Sequence, residues 1–127
     1  MSALKSYNYA VVRVVPRIDR DEFVNAGVIV CSMELRYLGA RVTLPVDRIL
    51  SLWPHADVAT LQRHIEAIPK ICAAEASAGA IAKLSLKERF HWLTVPRNTM
   101  IQVSPVRSGL TEFPELVLEK LYAEFVG

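Results

Sequence analysis

The sequence predicts an α+β fold: an antiparallel sheet of about four strands, starting with a hairpin and packed by two main helices. Three observations carry this. Two β-branched runs, Tyr7 to Val15 and Phe23 to Cys31, are joined by a short polar loop. The middle of the chain carries apolar residues at helical spacing, Val58, Leu61, Ile65, Ile68 and Cys72. The chain closes on a second such run, Val117, Leu118, Leu121, Tyr122 and Phe125, led by Pro114.

Taken in order, the first strand stops at Pro16, and Arg17 to Glu22 forms a charged connection. The second strand is apolar on both faces, Val24, Ala26, Val28 and Val30 alternating with Phe23, Asn25, Gly27, Ile29 and Cys31, so it should be central and covered on both sides. An antiparallel hairpin is the simplest arrangement. Pairing Val15 with Phe23 places Arg13 opposite Asn25, Val11 opposite Gly27 and Tyr9 opposite Ile29. One face of the first strand then carries Tyr7, Tyr9, Val11, Arg13 and Val15, and the other Ala10, Val12 and Val14. A slip of one residue would put Arg13 and Asn25 on opposite faces.

A third strand is expected from Tyr37 to Leu44, ended by Pro45. Asp47 is placed to cap a short helix through Trp53. The longer helix is expected from Asp57 to Ala76, with a kink or break at Pro69 and a frayed Ala-rich stretch containing Gly79 beyond it. Ser85 and Glu88 have the spacing of a capping box, which predicts a helix from Leu86 to Trp92, although Phe90 and Trp92 also fit strand alternation. Met100 to Val106 reads as a fourth strand broken by Pro105, and Pro114 to Phe125 as the closing helix. No repeat, linker or low-complexity tract is present, so residues 1–127 are read as one domain.

Hydrophobic residues make up 52% of the 127 and charged residues 22%, which is globular composition and not that of a disordered chain. No apolar run is long enough for a membrane span, and no signal peptide is visible, so a cytoplasmic protein is expected. Cys31 and Cys72 read as small core residues, not as a disulfide. His55, His64 and His91 are scattered, so no metal site and no cofactor is expected. The net charge of +2 is too small to argue for nucleic acid. Ten of the fifteen basic residues are arginine, a bias that suits bidentate contacts.

The densest polar signal is Arg13, Arg17, Asp19, Arg20, Asp21, Glu22 and Asn25. Arg13, Arg17, Arg20, Glu22 and Asn25 are the candidate ligand-binding residues, because arginines beside carboxylates and an amide can grip a phosphate or carboxylate. The same residues also make an ordinary salt-bridged loop. Arg13 stands apart: it lies mid-strand among apolar residues, where a guanidinium requires a charged partner or a ligand. A second basic group, Arg89, His91, Arg97 and Arg107 with Trp92 nearby, fits either a nucleic-acid surface or a solvated edge. Gly-rich phosphate loops, nucleophile elbows and zinc-hydrolase helices are absent from the sequence.

Two stretches, Tyr7-Asn8-Tyr9-Ala10-Val11-Val12-Arg13-Val14-Val15-Pro16 and Arg20-Asp21-Glu22-Phe23-Val24-Asn25-Ala26-Gly27-Val28-Ile29, resemble a small bacterial family of domains of unknown function, numbered 3037. The resemblance resumes at Glu88-Arg89-Phe90-His91-Trp92-Leu93, at Pro96-Arg97-Asn98 and around Leu121-Tyr122. It implies no established activity. It does imply an accessory role, because similar proteins tend to be encoded beside HipA-like kinases of toxin–antitoxin modules. The expectation is therefore a non-enzymatic accessory or binding protein, with a HipA-like kinase as the partner the resemblance implies. The alternative is a small enzyme or anion-binding domain using Arg13, Arg20, Glu22 and Asn25.

Overall fold

In the computed structural model, residues 3–97 and 99–127 are described; Asn98, named in the sequence analysis, lies outside them. Strand β1 (Lys5–Val14) is the centre of the sheet. On one side it pairs antiparallel with β2 (Val24–Ser32), which in turn pairs with β3 (Tyr37–Val42). On its other side lie β4 (Ile101–Val103) and β5 (Arg107–Thr111), both antiparallel to it. The predicted hairpin and fold class are borne out, with five strands among the described residues instead of about four.

The fifth strand arises from the way the chain passes Pro105. β4 pairs with Val12 to Val14 and β5 with Lys5 to Tyr9, so the two are halves of one antiparallel partner of β1. Proline has no N–H to give to a ladder. Here Ser104 bridges the gap: its backbone N–H donates to Val11 O at 2.9 Å, and its side-chain Oγ accepts from Val11 N–H at 2.8 Å. The sequence reading ended the strand at Val106; it resumes at Arg107.

Arg13 does pair with Asn25, as expected, and Val14 with Val24. Beyond that point the predicted register fails by one residue: Val12 pairs with Gly27, Val11 with Val28 and Tyr9 with Val30. Ala26 is the extra residue of a β-bulge. The bulge switches the phase of β2. Val24 and Ala26 face one side of the sheet, whereas Val28 and Val30 face the other.

Among the described residues four α-helices cover the sheet: α1 (Val46–Leu52), α2 (Val58–Cys72), α3 (Leu86–Thr94) and α4 (Pro114–Phe125). One face packs Val12, Val14, Ala26 and Ile29 against Ile49, Leu61, Ile65, Ile68 and Leu93 from α1, α2 and α3. The opposite face packs Val28 and Val30, with Tyr7, Tyr9 and Tyr37, against Leu118, Leu121 and Phe125 of α4. Both thiols are buried, and burial pushes Cys31 up to about 11 and Cys72 up to about 12, so neither is a nucleophile at neutral pH.

Local details follow from capping. Asp57 caps α2 by accepting from Thr60 N–H, and the Ser85–Glu88 capping box starts α3, which settles Phe90 and Trp92 as helical. Asp47 does not cap α1; Pro45 holds that position, and Asp47 lies in the first turn, where the helix dipole favours a negative charge. Helix α2 runs through Pro69 without a break and ends one turn later. It stops short of the predicted Ala76 because Ala74 adopts a positive φ of 55°. Arg89 closes that end by donating to the Ile71 and Cys72 carbonyls. Beyond it, 3-10 turns over Ala76–Lys83 are interrupted at Gly79, whose φ is 76°. Among the described residues no helix is long and apolar enough to cross a membrane.

Candidate functional site

The two irregularities of the sheet flank the same stretch of β1. The Ala26 bulge lies on one side of Val12 and Arg13, and the Ser104–Pro105 interruption lies on the other, beside Val11. Bulges of this kind re-aim side chains. Between them, on the α4 face, opens a cleft of about 190 Å³. Its lining is Tyr9, Val11 and Arg13 from β1, Phe23 just before β2, Asn25 at its start, Ser104, Arg107 and Phe125.

Arg13 is held by stacking, with its guanidinium carbon 4.3 Å from the centre of the Phe23 ring. Its Nε is buried and has no hydrogen-bond partner among the described residues. Asn25 donates from Nδ2 to the Phe125 carbonyl at 3.1 Å, joining β2 to the last residue of α4. Its Oδ1 is likewise buried without a partner. Arg107 opens β5 opposite Tyr9 and is exposed. Among the described residues no carboxylate forms an ion pair with either Arg13 or Arg107. The cleft thus holds two uncompensated cations, an unsatisfied donor, an unsatisfied acceptor and aromatic walls.

The candidate cluster read from the sequence is divided by the structure. Arg13 and Asn25 come together in the cleft. Arg17, Arg20 and Glu22 do not line it. Arg17 Nε lies 2.8 Å from Asp19 and its guanidinium stacks over Trp53, while Arg20 Nε lies 2.7 Å from Glu22. These pairs are solvent-exposed and order the loop around the 3-10 turn Ile18–Arg20.

The second basic group is also dispersed. Arg89 serves the end of α2, and Arg97 stacks on Trp92 and donates to its carbonyl at 2.6 Å. Only Arg107 of that group lines the cleft. Sequence reading placed it with its neighbours along the chain, because the return of β5 to β1 was not visible. Ser104, Tyr9 and Phe125 were missed as cleft residues for the same reason.

A second hollow of about 250 Å³ lies across the sheet, between α2, α3 and β4. Its walls are mainly apolar, and its one arginine, Arg97, is already engaged with Trp92. Among the described residues no group of three or more His, Cys, Asp and Glu side chains could hold a metal ion.

The family described as "Protein of unknown function (DUF3037)" matches residues 9–126. The chain belongs to this family. The resemblance read from the β1 and β2 motifs is borne out at that level. All the residues lining the cleft fall inside the span matched to the DUF3037 family, Tyr9 at its beginning and Phe125 near its end. No significant match to a curated protein or to a solved structure was found.

Proposed function

We propose that this domain is a binding protein whose cleft accepts an anionic group, a carboxylate or a phosphate, between Arg13 and Arg107. The observation that carries the reading is the buried, unpartnered Nε of Arg13 in a cleft that holds a second uncompensated arginine. A buried donor without an acceptor costs about 1–3 kcal/mol, more when it is charged, and an anion would relieve that cost. The end of α4 brings roughly half a unit of negative charge nearby, which two full cations outweigh. Stacking on Phe23 pre-orients the Arg13 guanidinium, so little side-chain entropy is lost on binding.

Titrating phosphate and acetate into the protein tests this by calorimetry and by thermal shift. Binding should saturate, and ligand at 100 times its dissociation constant should add about 2.7 kcal/mol of stability. Arg13→Ala should weaken binding by about 10- to 100-fold, the equivalent of one charge-assisted hydrogen bond. Arg107→Ala should weaken it less, since its side chain is exposed. An unchanged melting temperature with both anions, or equal binding by Arg13→Ala, would overturn the reading.

A partner-protein reading is favoured by a different feature. Among the described residues β5 pairs only with β1, and the surface around it carries Val106, Leu110, Phe113 and Leu116, with Leu110 66% and Leu116 62% exposed. An uncovered strand edge with apolar side chains is suited to contact with another chain. A HipA-like kinase is the partner implied by the family resemblance. Purification of the tagged protein from its host should then bring down such a kinase in stoichiometric amount, and Leu110→Lys should release it. Recovery of the wild type without a kinase would refute this second reading.

A further inference from the structure

The orientation of Asn25 narrows the ligand. Because Nδ2 donates to the Phe125 carbonyl, the amide cannot be turned over without losing that bond, and the group left unpaired is the acceptor Oδ1. Its cross-strand neighbour Arg13 presents an unpaired donor, Nε–H. Both atoms are buried, and both residues line one cleft. A ligand that satisfies both must carry an acceptor and a donor side by side. Acetate offers only the acceptor. An ammonium donor would be repelled by Arg13 and Arg107, so the donor is a neutral O–H or N–H. The rings of Tyr9, Phe23 and Phe125 supply apolar surface for the carbon atoms that join the two groups.

We infer that the cleft takes an organic carboxylate bearing a neutral hydroxyl or amide N–H on its α-carbon, with the carboxylate on Arg13 and Arg107 and the α-donor on Asn25 Oδ1. This rests on the anion-binding reading above. The same chemistry has two sources: a free α-hydroxy acid, or the acylated terminal residue of a peptide. A volume of about 190 Å³ is below the usual range for drug-sized ligands and suits a fragment of either kind.

Acetate, glycolate and N-acetylglycine, titrated at equal ionic strength, provide the test. Glycolate, N-acetylglycine or both should bind about tenfold more tightly than acetate, the gain from one added hydrogen bond in a buried site. Preference for glycolate identifies a free acid; preference for N-acetylglycine, with no binding of N-acetylglycinamide, identifies a peptide terminus. Asn25→Leu should abolish the preference, bringing the affinities for the three ligands to within about twofold of one another. If that variant does not fold, the three-ligand comparison on the wild type still decides. Equal affinity for all three ligands overturns this inference and leaves the anion-binding reading standing. Binding of none of them overturns this inference, and the anion-binding reading falls with it when phosphate also fails to bind.

Discussion

Ile65→Ala is expected to destabilise the protein by about 2–5 kcal/mol without altering the affinity of the folded cleft. Ile65 is fully buried on α2, in the cluster that joins α1, α2 and α3 to the sheet. Its neighbours in that cluster, Leu61, Ile49 and Ile29, are also fully buried and come from three different elements. They cannot all collapse into the space left by three lost carbon atoms, so the cavity cost adds to the transfer cost. Against a typical total of about 5–15 kcal/mol, that is a large share. The cleft lies on the opposite face of the sheet, under α4, and shares no residue with this cluster. Urea unfolding should show a lower midpoint with an unchanged slope, while anion titration at low temperature returns the wild-type constant. A loss below about 1 kcal/mol would mean that α2 does not pack as described.

That separation between a structural face and a binding face was only partly legible in the sequence. Strand β1 announced both of its faces, because Tyr7, Tyr9, Val11 and Arg13 differ in kind from Ala10, Val12 and Val14. The Arg13–Asn25 pairing followed from placing two polar residues together in two apolar strands, and it holds. The bulge did not announce itself. From Ala26 to Cys31 every residue is small or apolar on both faces, so a change of phase leaves no mark in the pattern. β5 was missed because Arg107-Ser108-Gly109-Leu110-Thr111 carries little alternation of its own and is held by its pairing to β1. The strand reads as broken at Pro105 and finished by Val106 because pairing through a side-chain acceptor, Ser104 Oγ, leaves no mark in the pattern. For the same reason Arg107 was grouped with Arg89 and Arg97, not with Arg13. The solitary mid-strand arginine was the one residue whose burial cost pointed to a site before any topology was known.

Gly27→Ala is expected to reverse the usual benefit of replacing glycine in a strand and to damage the cleft from a distance. Gly27 has no left-handed φ; among the described glycines only Gly79 does. On conformational grounds alone, alanine should therefore stabilise the strand by about 0.5–1 kcal/mol. Space forbids it. A Cβ at position 27 would lie 2.7 Å from the Arg41 carbonyl oxygen, 2.7 Å from Val42 Cγ1 and 3.0 Å from Val42 Cα. Two of these three atoms are backbone of the paired strand β3, which cannot move aside as a side-chain end can. The cost should be about 2–3 kcal/mol, in the range of overpacked cores. Gly109→Ala supplies the contrast, since the group it meets is the far end of the Tyr7 side chain, and its cost should stay below about 1 kcal/mol. Gly27 directly follows the bulged Ala26, and the bulge sets Asn25 opposite Arg13. A displaced Gly27 segment would therefore shift Asn25 relative to Arg13, and anion affinity should fall although the substituted residue does not line the cleft. A Gly27→Ala protein more stable than wild type would show that β2 and β3 do not approach this closely. A destabilised protein with unchanged anion affinity would show that the bulge does not hold the site in register.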